Sequence, residues 1–521
     1  KALEETTFIC EELVLNEGDD LFPSDRTQYR QKTNFNSDRL RACSPNGGAI
    51  AICHDCDLDK NKQYKIISVY DNTGNLINNI EVPDYPKDVQ LKYLYITPEE
   101  NIVVAYSNAM FQTYCLRGGE PLAQYEFNAK KENEDGTPVQ DDSKPLISIK
   151  LVSFWHSGFI MVDWTGQTYI CDDLAQLQPR PWEKLEKSGI MGMVAVPPDA
   201  EHGFGTLLYT WNQDSIFLIQ KGKQQQVNWE TPIDSIVISP SRKFACVVCG
   251  HNFYLTDGQI TKVLLSLFFD DVEHYQSVCW CGNDTILLVE KTRISMLGNA
   301  DSVIQWNDFP STIWCVPEVD GTRIFTNENV YLLRAIGEHS YNFALWRMAS
   351  PAVKLFNLML DINYLAVKDP IDELSLDELK VALDGIVEAL MFFQRYDQRE
   401  ALLLALSRAQ SSIPKPKDDG SVESDKLLAL RDFQDYAERL DLLRVCEQMQ
   451  RAPYFIPITC VEYEAITPPV LLKRLCNRSL HFQAYRIANF LAIDTDFLST
   501  HWATSLVRLD EKDMSKEDLL N

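Results

Sequence analysis

Apolar and polar positions follow one rhythm up to about residue 340 and another after it. In the first stretch, short apolar runs of strand length are cut by Gly, Pro, Asn and Asp, the pattern of buried strands joined by tight turns. In the second, apolar residues return every three or four positions, which is helical spacing. The sequence therefore predicts a β domain over residues 1–340 and a helical domain over 341–521.

Seven segments in the first stretch share one plan of strand, turn, strand, polar turn. They begin near Arg41, Leu91, Ile147, Met191, Ile233, Tyr275 and Thr312. Their spacing, mostly around 40 residues, is that of a four-stranded propeller blade, so the expected fold is a seven-bladed β-propeller. No WD signature accompanies it, which marks a divergent propeller. Hairpin turns fall at Ser44-Pro45-Asn46-Gly47, Ser239-Pro240-Ser241, Asn283-Asp284 and Asp320-Gly321. The last pair suits a type I′ turn, whose two central positions need positive φ. An early strand at Thr7–Leu15 is expected to complete the ring and remove a free sheet edge. The polar run 128–145 reads as an exposed insertion between blades.

In the second stretch, Ser350-Pro351 has the form of an N-cap followed by proline at the first helical position. Ser375 to Glu378 forms a capping box before the apolar stripe Leu376, Leu379, Leu383, Ile386, Val387, Leu390 and Phe393. Asp397 to Glu400 repeats the box more weakly, and 411–424 reads as a linker. Helical spacing resumes over Lys426–Met449 and breaks at Pro453 and Pro457. It returns in Val470–Asn477, Phe482–Leu491 and Phe497–Val507. Short helices paired in series predict an α-solenoid.

Charge narrows the partners. The formal net charge is −26 with a pI near 4.7, a surface that repels phosphate backbones and anionic headgroups. Nucleic acid and direct membrane insertion are excluded on that ground and by the lack of any long apolar run. No signal-peptide pattern opens at Lys1, and the 14 cysteines, Cys246, Cys249, Cys446 and Cys476 among them, sit inside apolar patterns as expected of free thiols in a reducing cytosol.

The search for chemistry assigns no catalytic, cofactor-binding or metal-ligating residue. Cys53-His54-Asp55-Cys56 has C-x-x-C form, but no second pair stands at zinc-knuckle spacing. Cys246 and Cys249 are three apart in a strand and face opposite sides. Cys279-Trp280-Cys281 reads as blade core. Nucleophile elbows, H-E-x-x-H and phosphate loops are missing. His251, His274 and His339 lie beside turns, and Asp172-Asp173 and Asp270-Asp271 read as solvated loop charges. The aromatic helix positions Phe392, Phe393, Tyr396, Phe433, Tyr436, Phe482, Tyr485 and Phe490 are expected mostly in inter-helix core.

Three blocks carry a family resemblance. They are Val316–Phe325 at the end of the β stretch, Cys279–Asp284, and Pro453–Leu491 followed by His501-Trp502-Ala503. Leu471, Leu472, Arg474, Leu475, Arg478, Ala484 and Ile487 agree in spacing as well as type. Together they resemble the vacuolar protein-sorting subunit sixteen family, the class C core of the HOPS and CORVET tethering complexes. Over the first 230 residues the likeness is one of blade pattern.

The resemblance implies a propeller joined to a solenoid, no enzymatic activity and no cofactor. It implies a hetero-oligomer with sister class C subunits and an SM-family, SNARE-binding subunit, acting indirectly with SNAREs and Rab GTPases. The setting it implies is cytoplasmic and peripheral on late endosome and vacuole or lysosome membranes, where vesicles tether before fusion. Family members continue for several helices past the equivalent of Asn521, and the SM-subunit contact is expected there. Two rivals stand beside it: a vesicle-coat or nuclear-pore scaffold with the same domain pairing, and, from a different class, a propeller hydrolase with carboxylates gathered around the central channel.

Overall fold

The computed structural model describes residues 7–12, 40–56, 64–82, 89–116, 121–127, 147–185, 189–198, 205–269, 275–283, 285–297, 303–306, 309, 311–327, 329–361, 374–393, 395–413, 434–451 and 453–513. The expected insertion at 128–145, Asp270-Asp271, His274, Phe433 and most of the 411–424 linker lie outside these residues.

All strands among the described residues belong to seven four-stranded antiparallel sheets. In six of them the strands lie in chain order, as from Arg41–Cys43 to Leu76–Val82 in the first. First strands of successive sheets pack side by side. Arg41–Cys43 meets Leu91–Ile96, and Ile149–Trp155 is followed through Gly192–Val196, Ser235–Ile238 and Ser277–Cys281 to Trp314–Pro317. This is the seven-bladed propeller that the segment spacing predicts.

The blades form here because their second strands are buried on both faces and mostly apolar. Ile102–Tyr106, Gly158–Asp163, Thr285–Val289 and Gly321–Phe325 are buried at every position. The core consequently lies between blades. Ile67, Val69 and Ile80 of the first blade pack with Ile102, Val104 and Tyr106 of the second. Outer strands such as Lys223–Asn228 are polar and exposed.

The seventh sheet runs from Trp314–Pro317 through Gly321–Phe325 and Val330–Ile336 to Thr7–Glu12. The early strand does serve as closing strand, with Thr7 opposite Ile336 and Glu12 opposite Tyr331. One turn differs from expectation. Gly321 opens a strand, and Glu318, Val319 and Asp320 make the turn, closed by the Glu318 N–H donating to the Gly321 carbonyl at 3.0 Å. Two consecutive positive φ values occur instead in the Ser44–Gly47 turn, at Asn46 (57°) and Gly47 (70°).

The helices among the described residues are α1 (Glu338–Ala344), α2 (Pro351–Leu360), α3 (Leu376–Phe392), α4 (Tyr396–Ser412), α5 (Gln434–Gln450), α6 (Cys460–Ile466), α7 (Pro468–Asn477), α8 (His481–Phe490) and α9 (Asp496–Asp513). Ser375 closes the expected capping box on α3 with both reciprocal bonds. The box expected at Asp397 is not made. Helix α4 starts earlier, at Tyr396, and Asp397 pairs with Arg395 at 3.0 Å. Ser350 precedes Pro351 as expected but makes no side-chain cap bond. Ser411 and Ser412, placed in the linker by their polarity, complete α4.

The chain divides into two compact units, Lys1–Tyr29 with Asn329–Ala465, and Arg30–Glu328 with Ile466–Asn521. In the smaller unit α2 packs against α3 and α4. Gly385 of α3 permits the close approach, since a Cβ there would stand 2.8 Å from the Ala352 Cβ and 2.9 Å from the His339 Nδ1. In the larger unit α7 packs on α8 and α9, and one face of α7 meets blade turns.

Candidate functional site

The sequence of α7 places Arg474, Asn477 and Arg478 three and four positions apart, hence on one helical face. That face meets two blade turns of the same construction. Each begins Ser-Pro or Thr-Pro, Ser44-Pro45 in the first blade and Thr97-Pro98 in the second. The proline fixes φ and leaves neighbouring carbonyls free of strand pairing.

Arg474 is fully buried and spreads its guanidinium across both turns. Its Nε donates to the Pro98 carbonyl at 2.6 Å, Nη1 to Asn46 at 2.7 Å and Nη2 to Pro45 at 2.7 Å. The planar fork suits three carbonyls in a way a lysine could not. Asn477 Nδ2 donates to the Glu99 carbonyl at 2.6 Å.

Arg478 forms a two-point ion pair with Glu100, Nε to Oε2 at 2.7 Å and Nη2 to Oε1 at 2.5 Å. The side chains are 5% and 0% exposed. Burial alone would lower the Arg478 pKa, but the Glu100 carboxylate outweighs it and the net shift is upward. Glu100 also accepts from the Ala49 N–H at 2.9 Å and sits at positive φ (69°), so the second turn presents its acid to the first.

A second buried pair adjoins the first. Arg323 grips Glu318 at 2.8 and 2.7 Å, and Glu318 accepts from the Gly47 N–H at 3.1 Å. Ser44 Oγ donates to the Thr97 carbonyl at 2.8 Å, and Asn72 Nδ2 to the Gly47 and Gly48 carbonyls. The turns of the first, second and seventh blades and helix α7 thus share one dry polar network. Cys43 lies within it, and burial first, then the nearby Glu318, pushes its thiol far above the usual range. The arrangement holds elements in register. It presents no nucleophile beside a base.

The remaining sequence candidates are dispersed. Cys246 and Cys249 share the strand Phe244–Cys249, and Cys279, Trp280 and Cys281 are all buried in Ser277–Cys281. Burial pushes the Cys246 and Cys476 thiols up to about 12. Cys53 to Cys56 runs along one strand, Ile50–Cys56. Asp172 is exposed and pairs with Arg180 at 2.6 Å, as solvated loop charges do. His251 is exposed and His339 half-buried in α1. None of the seven first strands carries Asp, Glu or His.

The aromatic expectation divides. Phe393 is core, but Phe482, Tyr485 and Phe490 are 57%, 41% and 52% exposed. Alternation on the short α8 turns His481, Ala484 and Ile487 inward and those rings outward. Sequence reasoning marked Arg474 and Arg478 by type and spacing, yet Glu100 and Glu318 gave no signal among 75 acidic residues.

Comparison with known proteins adds lineage. The family model described as "Vps16, N-terminal region" matches residues 19–419. "Protein VACUOLELESS1" of Arabidopsis thaliana is 22% identical over 382 residues, covering 68% of this chain and 42% of that protein. The "Vacuolar protein sorting-associated protein 16 homolog" of Dictyostelium discoideum is 20% identical over 502 residues, covering 90% and 55%. The chain thus spans about half the length of these relatives. A chain of the "Crystal Structure of Mitotic Checkpoint Complex" is similar at 10% identity and a TM-score of 0.38, over 63% of this chain and 95% of that one.

Proposed function

The chain belongs to the Vps16 family by its N-terminal region, and from that membership we propose that it is a non-catalytic scaffold subunit of a membrane-tethering complex of the HOPS and CORVET type, acting in vacuolar protein sorting. The propeller serves as a docking disc, and the helices from α1 onward begin a solenoid arm that buries surface against sister subunits. An SM-family, SNARE-binding subunit is a further partner in that assembly. The complex works at the surface of endosomes and the vacuole or lysosome, with no helix of the described residues long and apolar enough to cross a membrane.

One observation carries this proposal beyond kinship. A polar cluster among the described residues links α7 to blade turns through five buried charged side chains and backbone carbonyls, with no reactive group poised for chemistry. Such a cluster fixes geometry, which is what a scaffold requires.

Affinity purification of the full-length protein from cells tests it. Stoichiometric recovery of an SM-family protein and RING-bearing class C subunits is expected. Recovery as a free monomer, or as a self-assembling lattice of the isolated protein, overturns the proposal, the lattice pointing to a coat.

A further inference from the structure

Three ligand-type side chains converge where α7, α8 and α9 meet. Cys476 is the penultimate residue of α7, His481 the first of α8, and His501 lies on the second turn of α9. Their ligand atoms all lie within 4.8 Å of one another. His481 Nε2 and His501 Nδ1 are 3.1 Å apart. Two ligands of one tetrahedral zinc ion, each about 2.0–2.3 Å from the metal, stand roughly 3.3–3.7 Å from each other. The nitrogens stand a few tenths of an ångström inside that spacing, at hydrogen-bond distance, so they and the sulfur need only a rotamer-scale adjustment to surround an ion.

The backbone builds this meeting. Ser479 takes a positive φ of 60°, and its N–H donates to the Cys476 carbonyl at 2.8 Å while the Leu480 N–H donates to Leu475. This tight helix ending brings position 481 back beside 476. The His481 ring is then fixed by stacking on Trp502, centroids 5.7 Å apart and planes 7° apart. Ser505 Oγ donates to the His501 carbonyl at 2.8 Å and stands 3.4 Å from its Nδ1. Cys476 and His481 are buried, and His501 is half-buried.

We propose that Cys476, His481 and His501 form a binding site for a zinc-class divalent ion that ties α7, α8 and α9 together, with the half-buried side at His501 open to a fourth ligand. One thiolate and two imidazoles suit Zn2+ and its spectroscopic substitute Co2+ better than the hard, oxygen-seeking Mg2+ or Ca2+. A neutral, hydrogen-bonded histidine pair beside an idle thiol is the alternative occupant of the same geometry. This site does not depend on the tethering proposal and is tested separately.

The probe is Co2+ alone, added to the purified, metal-stripped full chain under reducing conditions. One equivalent is expected to produce a thiolate-to-cobalt charge-transfer band and the intense visible bands of a tetrahedral ion, with Zn2+ displacing it. Cys476→Ser is expected to abolish the charge-transfer band. His501→Ala, at the least buried ligand, is expected to weaken Zn2+ binding by about a hundredfold or more. Should Cys476→Ser fail to fold, the wild-type titration and His501→Ala still decide. The proposal is overturned if the wild-type chain takes up no cobalt with a thiolate band, or if the band persists at full strength in the folded variants.

Discussion

Arg478→Met is the sharpest probe of the joint on α7. The substitution keeps much of the side-chain volume and helix propensity but removes the charge that faces Glu100 at 2.7 and 2.5 Å. Glu100 is 0% exposed and would remain with a buried carboxylate lacking its cation. Breaking a buried pair in this one-sided way costs about 3–5 kcal/mol. An exposed pair such as Arg395 with Asp397, at 57% and 50% side-chain exposure, is worth about 0–1 kcal/mol, so Arg395→Met is the internal control.

A chain of two compact units need not unfold in one step, so native-state hydrogen exchange is the suitable assay. The amides of α7 and the Ala49 N–H, which donates to Glu100, should lose protection by about 10²–10³-fold in Arg478→Met. The double variant Glu100→Gln with Arg478→Met removes both charges and should cost clearly less than the sum of the singles, with a coupling of about 0.5–3 kcal/mol. Loss of under about 1 kcal/mol in Arg478→Met, indistinguishable from the surface control, or strict additivity in the cycle, would refute the reasoning.

Three further outcomes are expected. Arg474→Met strips hydrogen bonds from the Pro45, Asn46 and Pro98 carbonyls, so exchange should rise in both turns, 44–48 and 97–101, at about 1–3 kcal/mol per carbonyl left dry. Gly385→Ala sets a methyl 2.8 Å from the Ala352 Cβ and should destabilise the smaller unit by about 1–3 kcal/mol in chemical denaturation, although alanine is the better helix former. Ser375→Ala should cost about 1 kcal/mol through the lost N-cap of α3. Hydrogen bonds from the Ser375 backbone and hydroxyl hold the Glu378 pKa below its ordinary 4.5. A depressed acid stabilises above its unfolded pKa and loses that contribution as pH falls through the folded one. Protection of the first turn of α3 should therefore drop on acidification below about 4.5 in the parent and change less in the variant.

Much of the architecture was legible because it is written in local pattern. Strand-length apolar runs and turn residues at blade spacing marked all seven sheets, and the early Thr7 strand could be assigned a closing role because a propeller needs one. Ser375 was readable since a capping box is complete within four residues. Asp397 misled because its carboxylate is captured by Arg395, two residues earlier. The joint itself was half legible. Arg474 and Arg478 stood at helical spacing, but by charge alone they belong to a solvated face, and their partners lie 376 and 378 positions earlier. Only folding brings Pro98 and Glu100 to them. The Cys476, His481 and His501 cluster escaped for a similar reason, since its members come from three different helices and fit no compact motif.

The choice of arginine at this joint follows from what a hydrophobic contact cannot specify. Leu471, Leu472 and Leu475 supply burial on α7, yet apolar burial is non-directional and would tolerate a helix rotated or slid by part of a turn. Arg474 removes that freedom, because its three donors must meet carbonyls from two different blades at once. Arg478 adds a carboxylate of fixed position, held in turn by the Ala49 N–H of the neighbouring blade. Desolvating these charges contributes little net stability, since a well-packed apolar substitute can match a buried pair. What the charges contribute is a single register between α7 and two blade turns. In a protein proposed to work by holding other subunits at set positions, an error of one helical turn, about 5.4 Å, at the root of α7 would displace every surface that follows it.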